Sequence, residues 1–306
     1  MTETKQAGGA ARVEFSPEAQ AAIAAREISG SWELRKLQKL LGELSHFDEV
    51  NQAAGDRAKT RMIIFIVVAV VGLFAAFFAA AVLESGLVFL LPLAAAAPAI
   101  YFGRIWSRHK KADLIDDFRV CLRPGLKDLA HDLDPEKKIR VRMDLAGPVD
   151  RKKSIQQELP PFPYLKLTET VFEDPWCEVR LPLVDGSTAV LEFTIWWRKL
   201  ERKYRGSRGK TKFKTKWKKE CRAAATLLPA AVTARWDENT LRSRLDPQRE
   251  RAKLVEKEGV TGARLERFWV FKGASSPPTA APDARDVVGM LLRLYGAMAK
   301  SGEVAS

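Results

Sequence analysis

Met62–Leu83 reads MIIFIVVAVVGLFAAFFAAAVL, 22 residues without a polar side chain. At about 1.5 Å per residue this makes a helix of about 33 Å, enough to cross a hydrocarbon core of about 30 Å. Glu84-Ser85-Gly86 interrupts the run. A second one, GLVFLLPLAAAAPAIYFG, then extends over Gly86–Gly103. As a helix it reaches only about 27 Å, and Pro92 and Pro98 bend it, which neighbouring helices tolerate in lipid. The pattern predicts a transmembrane hairpin over 62–103, two antiparallel helices joined by a tight turn with Glu84 at the far interface. Two rivals stand beside it: a re-entrant hairpin that does not cross, and a buried core hairpin of a soluble protein. Apolar runs of this length belong to membranes more than to cores. Ala75, Ala76, Ala79–Ala81 and Ala94–Ala97 let two backbones approach closely, as small residues do in lipid.

The flanks set the orientation. Arg57, Lys59 and Arg61 precede the first run, and Arg104, Arg108, Lys110 and Lys111 follow the second. The connecting turn has no basic residue. The positive-inside rule then places both termini in the cytoplasm, with the hairpin in a bacterial inner membrane or its equivalent. Arg61, Tyr101, Arg104 and Trp106 are the expected membrane-interface residues.

The rest of the 306 residues is strongly charged. The first apolar run begins at residue 62, too late for a signal peptide. The three cysteines, Cys121, Cys177 and Cys221, are widely spaced and form neither a disulfide framework nor a zinc pattern. They suit a reducing compartment, in keeping with the topology.

Residues 1–30 read as a disordered, weakly helical tail in which Ser16-Pro17-Glu18 starts a short helix and Ser29-Gly30-Ser31 ends it. Over 31–61 an amphipathic juxtamembrane helix is expected, capped by Ser31, with Leu34, Leu37, Leu41 and Leu44 on one face. That face suits packing within the chain, or else a dimeric coiled coil or a helix lying on the bilayer. Residues 104–135 read as a cytoplasmic helical stalk, broken at Pro124-Gly125, that packs against the helix entering the membrane.

Residues 136–306 read as a soluble α+β domain built on an antiparallel sheet. Ile139–Leu145 alternates apolar and polar side chains, the period of a half-buried strand. Residues 147–163 read as a loop. Leu165–Phe172 and Cys177–Val184 are predicted as separate strands, the second at an edge because of Pro182. Asp185-Gly186 signals a hairpin into Thr188–Trp197. A bulge or bend near Trp196-Trp197, or a helical turn in Arg198–Arg205, is expected, because an 18-residue strand is unusually long. Ala252–Glu256 and Arg264–Phe271 are weaker strands around a Gly259/Gly262 turn. Ser275–Pro282 is a linker, and a final helix capped by Asp283 buries Val287, Leu291, Leu294 and Met298.

The net charge of +13 is concentrated in one place. Residues 198–222 hold thirteen Lys and Arg against two Glu. Lys210, Lys212, Lys214, Lys216 and Lys218 alternate with Thr211, Phe213, Thr215 and Trp217, so a strand sends all five lysines one way. A turn centred between Ser207 and Arg208, within a basic hairpin over 197–219, pairs Arg205 with Lys210, Lys203 with Lys212, Glu201 with Lys214 and Lys199 with Lys216. One face then carries Lys199, Lys203, Arg205, Lys210, Lys212, Lys214, Lys216 and Lys218 as the predicted anion-binding set. Like charges opposite each other gain from a polyanion laid over them. Anionic lipid headgroups are favoured, because polybasic segments near the cytoplasmic leaflet gain about 1 kcal/mol per cation. Nucleic acid is the lesser candidate, since the aromatic residues lie on the other face. A solvated edge whose lysines deter aggregation is the plain alternative.

Catalytic signals are weak. Gly209-Lys210-Thr211 imitates the end of a phosphate loop, but Tyr204 stands where that pattern needs its first glycine. His46, His109 and His131 form no ligand pair, and no nucleophile elbow occurs. No catalytic set, metal site, cofactor or small-molecule substrate is nominated. The expectation is a membrane-anchored, cytoplasm-facing binding or scaffold protein that self-associates. Its rivals are an oligomeric pore or transport accessory built from the hairpin, and a nucleic-acid-binding membrane protein.

Overall fold

The structure, a computed structural model, describes residues 15–83, 90–147, 154–160, 162–207, 209–230, 235–243, 245–257, 259–272 and 282–299. The expected tail over 1–14, the turn holding Glu84 and most of the Ser275–Pro282 linker fall outside them.

Ser16 caps helix α1 (Pro17–Ala25) by accepting the Ala19 amide, as its Ser-Pro-Glu signature predicts. The chain then turns at Arg26, in the left-handed region, into strand β1 (Glu27–Trp32). Ser29-Gly30-Ser31 is therefore not a break, and Ser31 caps no helix. Gly30 belongs in the strand because the Trp32 ring folds over it; a Cβ there would lie 2.7 Å from that ring.

Helix α2 (Leu34–Leu83) follows without interruption. The expected juxtamembrane helix and first apolar run are one element. Leu37, Leu40, Leu41 and Leu44 are buried in the common core of this chain. From Ile63 to Phe78 the same helix exposes Ile, Val, Leu and Phe side chains. It is long and apolar enough to cross a membrane, with a mean hydropathy of 3.0 over its most apolar window. Helix α3 (Leu90–Ala112) packs along it in the opposite sense. Phe102 stacks on Phe65 at 5.7 Å, and Gly55, Met62 and Gly72 approach His109, Gly103 and Pro92 in turn. Beyond α3 come a π-helical turn (Phe118–Leu122) and helix α4 (Arg123–Asp128), which Pro124 begins rather than breaks.

The sheet strands are β2 (Ile139–Asp144), β3 (Ser154–Leu159), β4 (Lys166–Pro182), β5 (Thr188–Arg205) and β6 (Thr211–Leu228). After the short β7 (Arg235–Trp236) and helix α5 (Glu238–Ser243) come β8 (Glu250–Lys257) and β9 (Val260–Lys272). Helix α6 (Ala284–Ala297), capped by Asp283, and β10 (Met298–Ala299) complete the described chain. The order is β1-β2-β4-β5-β6-β9-β8, all antiparallel, with β3 on β4 beside β2.

Three strand expectations need correcting. The loop over 147–163 contains β3. The two strands around residue 175 are one, β4, which absorbs Trp-flanking Pro175 in a bulge between Asp174 and Cys177. Pro182 ends that central strand and marks no edge. No bend interrupts β5 at Trp196-Trp197: it pairs with β6 through eighteen residues in one register. The irregularity needed to accommodate such length sits in β4 instead.

Helices α1, α2, α4 and α6 cover one face of the sheet, around Trp176, Phe193, Ile195 and Trp197. The segment 114–133 and the first turns of α2 belong to that core, so they are part of the sheet domain.

Candidate functional site

Strands β4, β5 and β6 outrun their neighbours. The β2 pairing ends at Met143 opposite Cys177, and the β9 pairing ends at Lys272 opposite Lys218. Beyond those points the sheet narrows to β3-β4-β5-β6. The outer edge of β6 over Thr211–Trp217 has no strand partner among the described residues, and Thr211–Lys216 are all exposed.

The loop at the end of this extension decides where its charges point. Gly206 N–H donates to the Lys210 carbonyl and Gly209 N–H to the Gly206 carbonyl, both at 2.9 Å. The hairpin is thus closed between Gly206 and Lys210, and Gly209, just before the closing residue, has φ 72°. The observed pairs are Arg205 with Thr211, Lys203 with Phe213, Glu201 with Thr215 and Lys199 with Trp217. This register is one residue away from the predicted one. A one-residue slip exchanges faces, so the predicted single basic face is divided. Lys212, Lys214, Lys216 and Lys218 share a face with Tyr204, Arg202, Leu200 and Arg198. Lys199, Lys203 and Arg205 share the other with Thr211, Phe213, Thr215 and Trp217.

The eight predicted residues have different surroundings. Lys199 pairs with Glu201 at 2.8 Å and lies over the Trp217 ring; Lys218 pairs with Glu220 at 2.5 Å. Lys203 Nζ is 5.8 Å from the centre of the Phe213 ring. Arg205 and Lys210 are exposed at the loop. The Lys212 stem lies over Gly206, where a Cβ would come within 2.9 Å of it. Lys214 and Lys216 are exposed and have no ion pair among the described residues. Arg198 and Arg202 join the lysine row, which the predicted register had assigned to the opposite face. Arg202 is aimed by Tyr164, whose hydroxyl accepts from it at 3.0 Å and whose ring it covers at 5.1 Å.

A buried aromatic joint holds the extension to the sheet. Trp217 meets Trp197 edge-on at 6.0 Å and stacks on Phe172 at 6.4 Å. Lys219, opposite Trp197, is only 2 % exposed and lies over that ring at 5.4 Å. Burial pulls its pKa down, while the nearby Asp117 carboxylate opposes that shift.

No known protein family, curated protein or solved structure matches this chain.

The extension and the apolar part of α2 leave the core in the same sense. β1 ends with Trp32 opposite Ile139, the first residue of β2, and α2 starts two residues later. By Asp48 it has reached the other end of β2: Asp48 accepts the Leu114 amide at 2.9 Å, and Ile115 N–H donates to Leu145. That stretch of helix covers about 21 Å and β2 about 20 Å. Since β2 and β5 each run antiparallel to β4, α2 travels with β5, toward the basic loop. From Asp48 to Met62, where the apolar run begins, is about 21 Å along the helix. From Cys221, which the strand registers bring level with Leu145, to Phe213 is about 26 Å along β6.

The expected membrane-interface residues cluster where that run begins. Arg61 lies over the Phe102 ring at 5.6 Å, next to Tyr101, and Lys110 lies over Trp106 at 5.6 Å. Arg104 is exposed. Among the described residues no group of His, Cys, Asp and Glu is arranged to hold a metal ion, and the three cysteines are buried thiols.

Proposed function

We propose that this chain is a membrane-anchored binding protein whose β5–β6 hairpin docks on anionic lipid headgroups of the membrane that holds α2. In this reading the apolar half of α3 lies in the bilayer beside α2, and the sheet faces the cytoplasm. The observation that carries it is the shared direction of the cationic extension and the apolar helix. A row containing Lys212, Lys214, Lys216, Arg198 and Arg202 is held at the side of the molecule from which the apolar run departs. Each such cation near an anionic leaflet is worth about 1 kcal/mol, and the gain fades beyond a Debye length of about 8 Å at physiological salt.

Nucleic acid fits less well. Of the two aromatic residues interleaved with lysine, Trp217 is engaged with Phe172 and Trp197, which leaves Phe213 as a stacking platform.

The test is hydrogen exchange of the full chain in nanodiscs. Amides of 211–217 are expected to exchange more slowly in anionic than in neutral nanodiscs, with the difference erased by salt. Equal exchange in both lipids, or protection that appears only when RNA is added, would overturn the reading. Protease access to both termini from the cytoplasmic side checks the orientation.

A further inference from the structure

The end of the extension is apolar as well as basic. Phe162 is 91 % exposed, Phe213 76 % and Leu165 52 %. Phe162 and Leu165 come from the β3–β4 connection and Phe213 from the start of β6, all at the same end of the sheet. β3 pairs into β4 as far as Leu159 opposite Leu167, so the connection holding Phe162 turns there. Leu165 N–H donates to the Lys203 carbonyl at 2.7 Å, and Lys203 stands opposite Phe213. Single exposed apolar residues are ordinary on protein surfaces. Three at the tip of one projecting sheet, with Lys166, Lys203 and Arg205 at the same level of the strands, are not.

We infer that Phe162 and Phe213 form a wedge that enters the boundary between headgroups and acyl chains, while the surrounding cations stay in the headgroup layer. The inference rests on the docking proposed above and adds its apolar component. The chemistry suits that boundary. Aromatic rings and leucine gain from leaving water, and lysine stems extend along apolar surface while their ammonium groups stay hydrated. The Lys203 ammonium over the Phe213 ring already has this arrangement. The lengths agree too. Measured from the level of Leu145, Phe213 lies about 26 Å along β6 and Met62 about 21 Å along α2, so the tip and the start of the apolar helix come to similar heights on the same side.

The native cysteines are buried, so Phe162→Cys and Phe213→Cys can each carry an environment-sensitive fluorophore in the full chain. Lys216→Cys, lower on the extension, serves as the headgroup reporter. All are placed in neutral and anionic nanodiscs containing shallow quencher lipids. Blue-shifted emission and several-fold stronger quenching at 162 and 213 than at 216 are expected in anionic nanodiscs. Water-like emission at 162 and 213 overturns the wedge. If 216 still responds to anionic lipid in that case, headgroup docking stands without it; if 216 is also unresponsive, both fail. A blue shift without lipid quenching also overturns the wedge, because a protein surface then covers the tip. Insertion that is equal in neutral lipid supports the wedge and removes the need for the cationic row.

Discussion

Lys214 stands directly opposite Arg202 across the β5–β6 ladder. Two cations facing each other raise the energy of the hairpin until an anion joins them. Lys214→Glu is therefore expected to stabilise the protein by about 0.2–1 kcal/mol while weakening its response to anionic lipid. The register decides the sign. With a two-residue loop, Lys214 would face Glu201, and the same substitution would set two glutamates against each other. Thermal melts of the detergent-solubilised variant read out which occurs.

Gly262 is packed tightly against the end of β6. A Cβ at this position would lie 2.6 Å from the Leu227 carbonyl oxygen and 2.6 Å from a Leu228 methyl. The backbone oxygen is fixed by the ladder. Gly262→Ala should cost about 1–3 kcal/mol through overpacking, and urea titration of the full chain measures it.

Asp48 joins α2 to the segment that follows α3. It is fully buried, accepts the Leu114 amide at 2.9 Å and pairs with Arg119 at 3.0 Å. Burial raises its pKa, against the pull of the Leu114 amide and of Arg119. Asp48→Ala leaves the Leu114 amide without its acceptor and removes one of the three carboxylates around Arg119, and should cost about 1–3 kcal/mol. Asp48→Asn keeps an oxygen for the Leu114 amide and should cost less. The two melting temperatures, compared in detergent, give the difference.

Glu250 contributes to the acid limb of stability. Arg293 grips it with two bonds of 2.8 Å, and Arg267 stands 3.7 Å away. Burial by itself would raise its pKa; the Arg293 bonds, the Asp246 amide and Arg267 together bring it below the ordinary 4.5. A carboxylate lowered by folding contributes stability that is complete above its ordinary value and is lost as pH falls through the folded value. Glu250→Gln should thus destabilise by about 3 kcal/mol at neutral pH, and by progressively less as the solution is acidified below about pH 4.5. Denaturant midpoints over that range show whether the two curves converge.

Much of the fold is legible in residue order. Alternation from Ile139 marks β2, Asp185-Gly186 marks the β4–β5 turn, and Ser16 and Asp283 announce α1 and α6. What escapes is pairing between remote segments. Glu27–Trp32 looks like a breaker because Ser-Gly-Ser has poor strand propensity; its stability comes from β2, more than a hundred residues away. The division of the basic face is partly legible. Alternation is identical in either register, so the strands themselves do not choose. The loop does: a two-residue turn asks a positive φ of Ser207 or Arg208, whereas a three-residue turn asks it only of Gly209, which has no Cβ to oppose it. Nothing in β5 alone discloses that β4 would take the bulge.

The unbroken course of α2, from Leu37 locked among the strands to Leu83, makes the helix a boom of about 70 Å. It has no swivel between its two ends. Bilayers that thin or thicken tilt the helices they hold, and a tilt of about 10° swings a point about 40 Å along such an arm by about 7 Å. If the chain is anchored as proposed, changes in bilayer thickness reach the sheet as a change in the height of its lysine-bearing tip, with no ligand needed to carry the message.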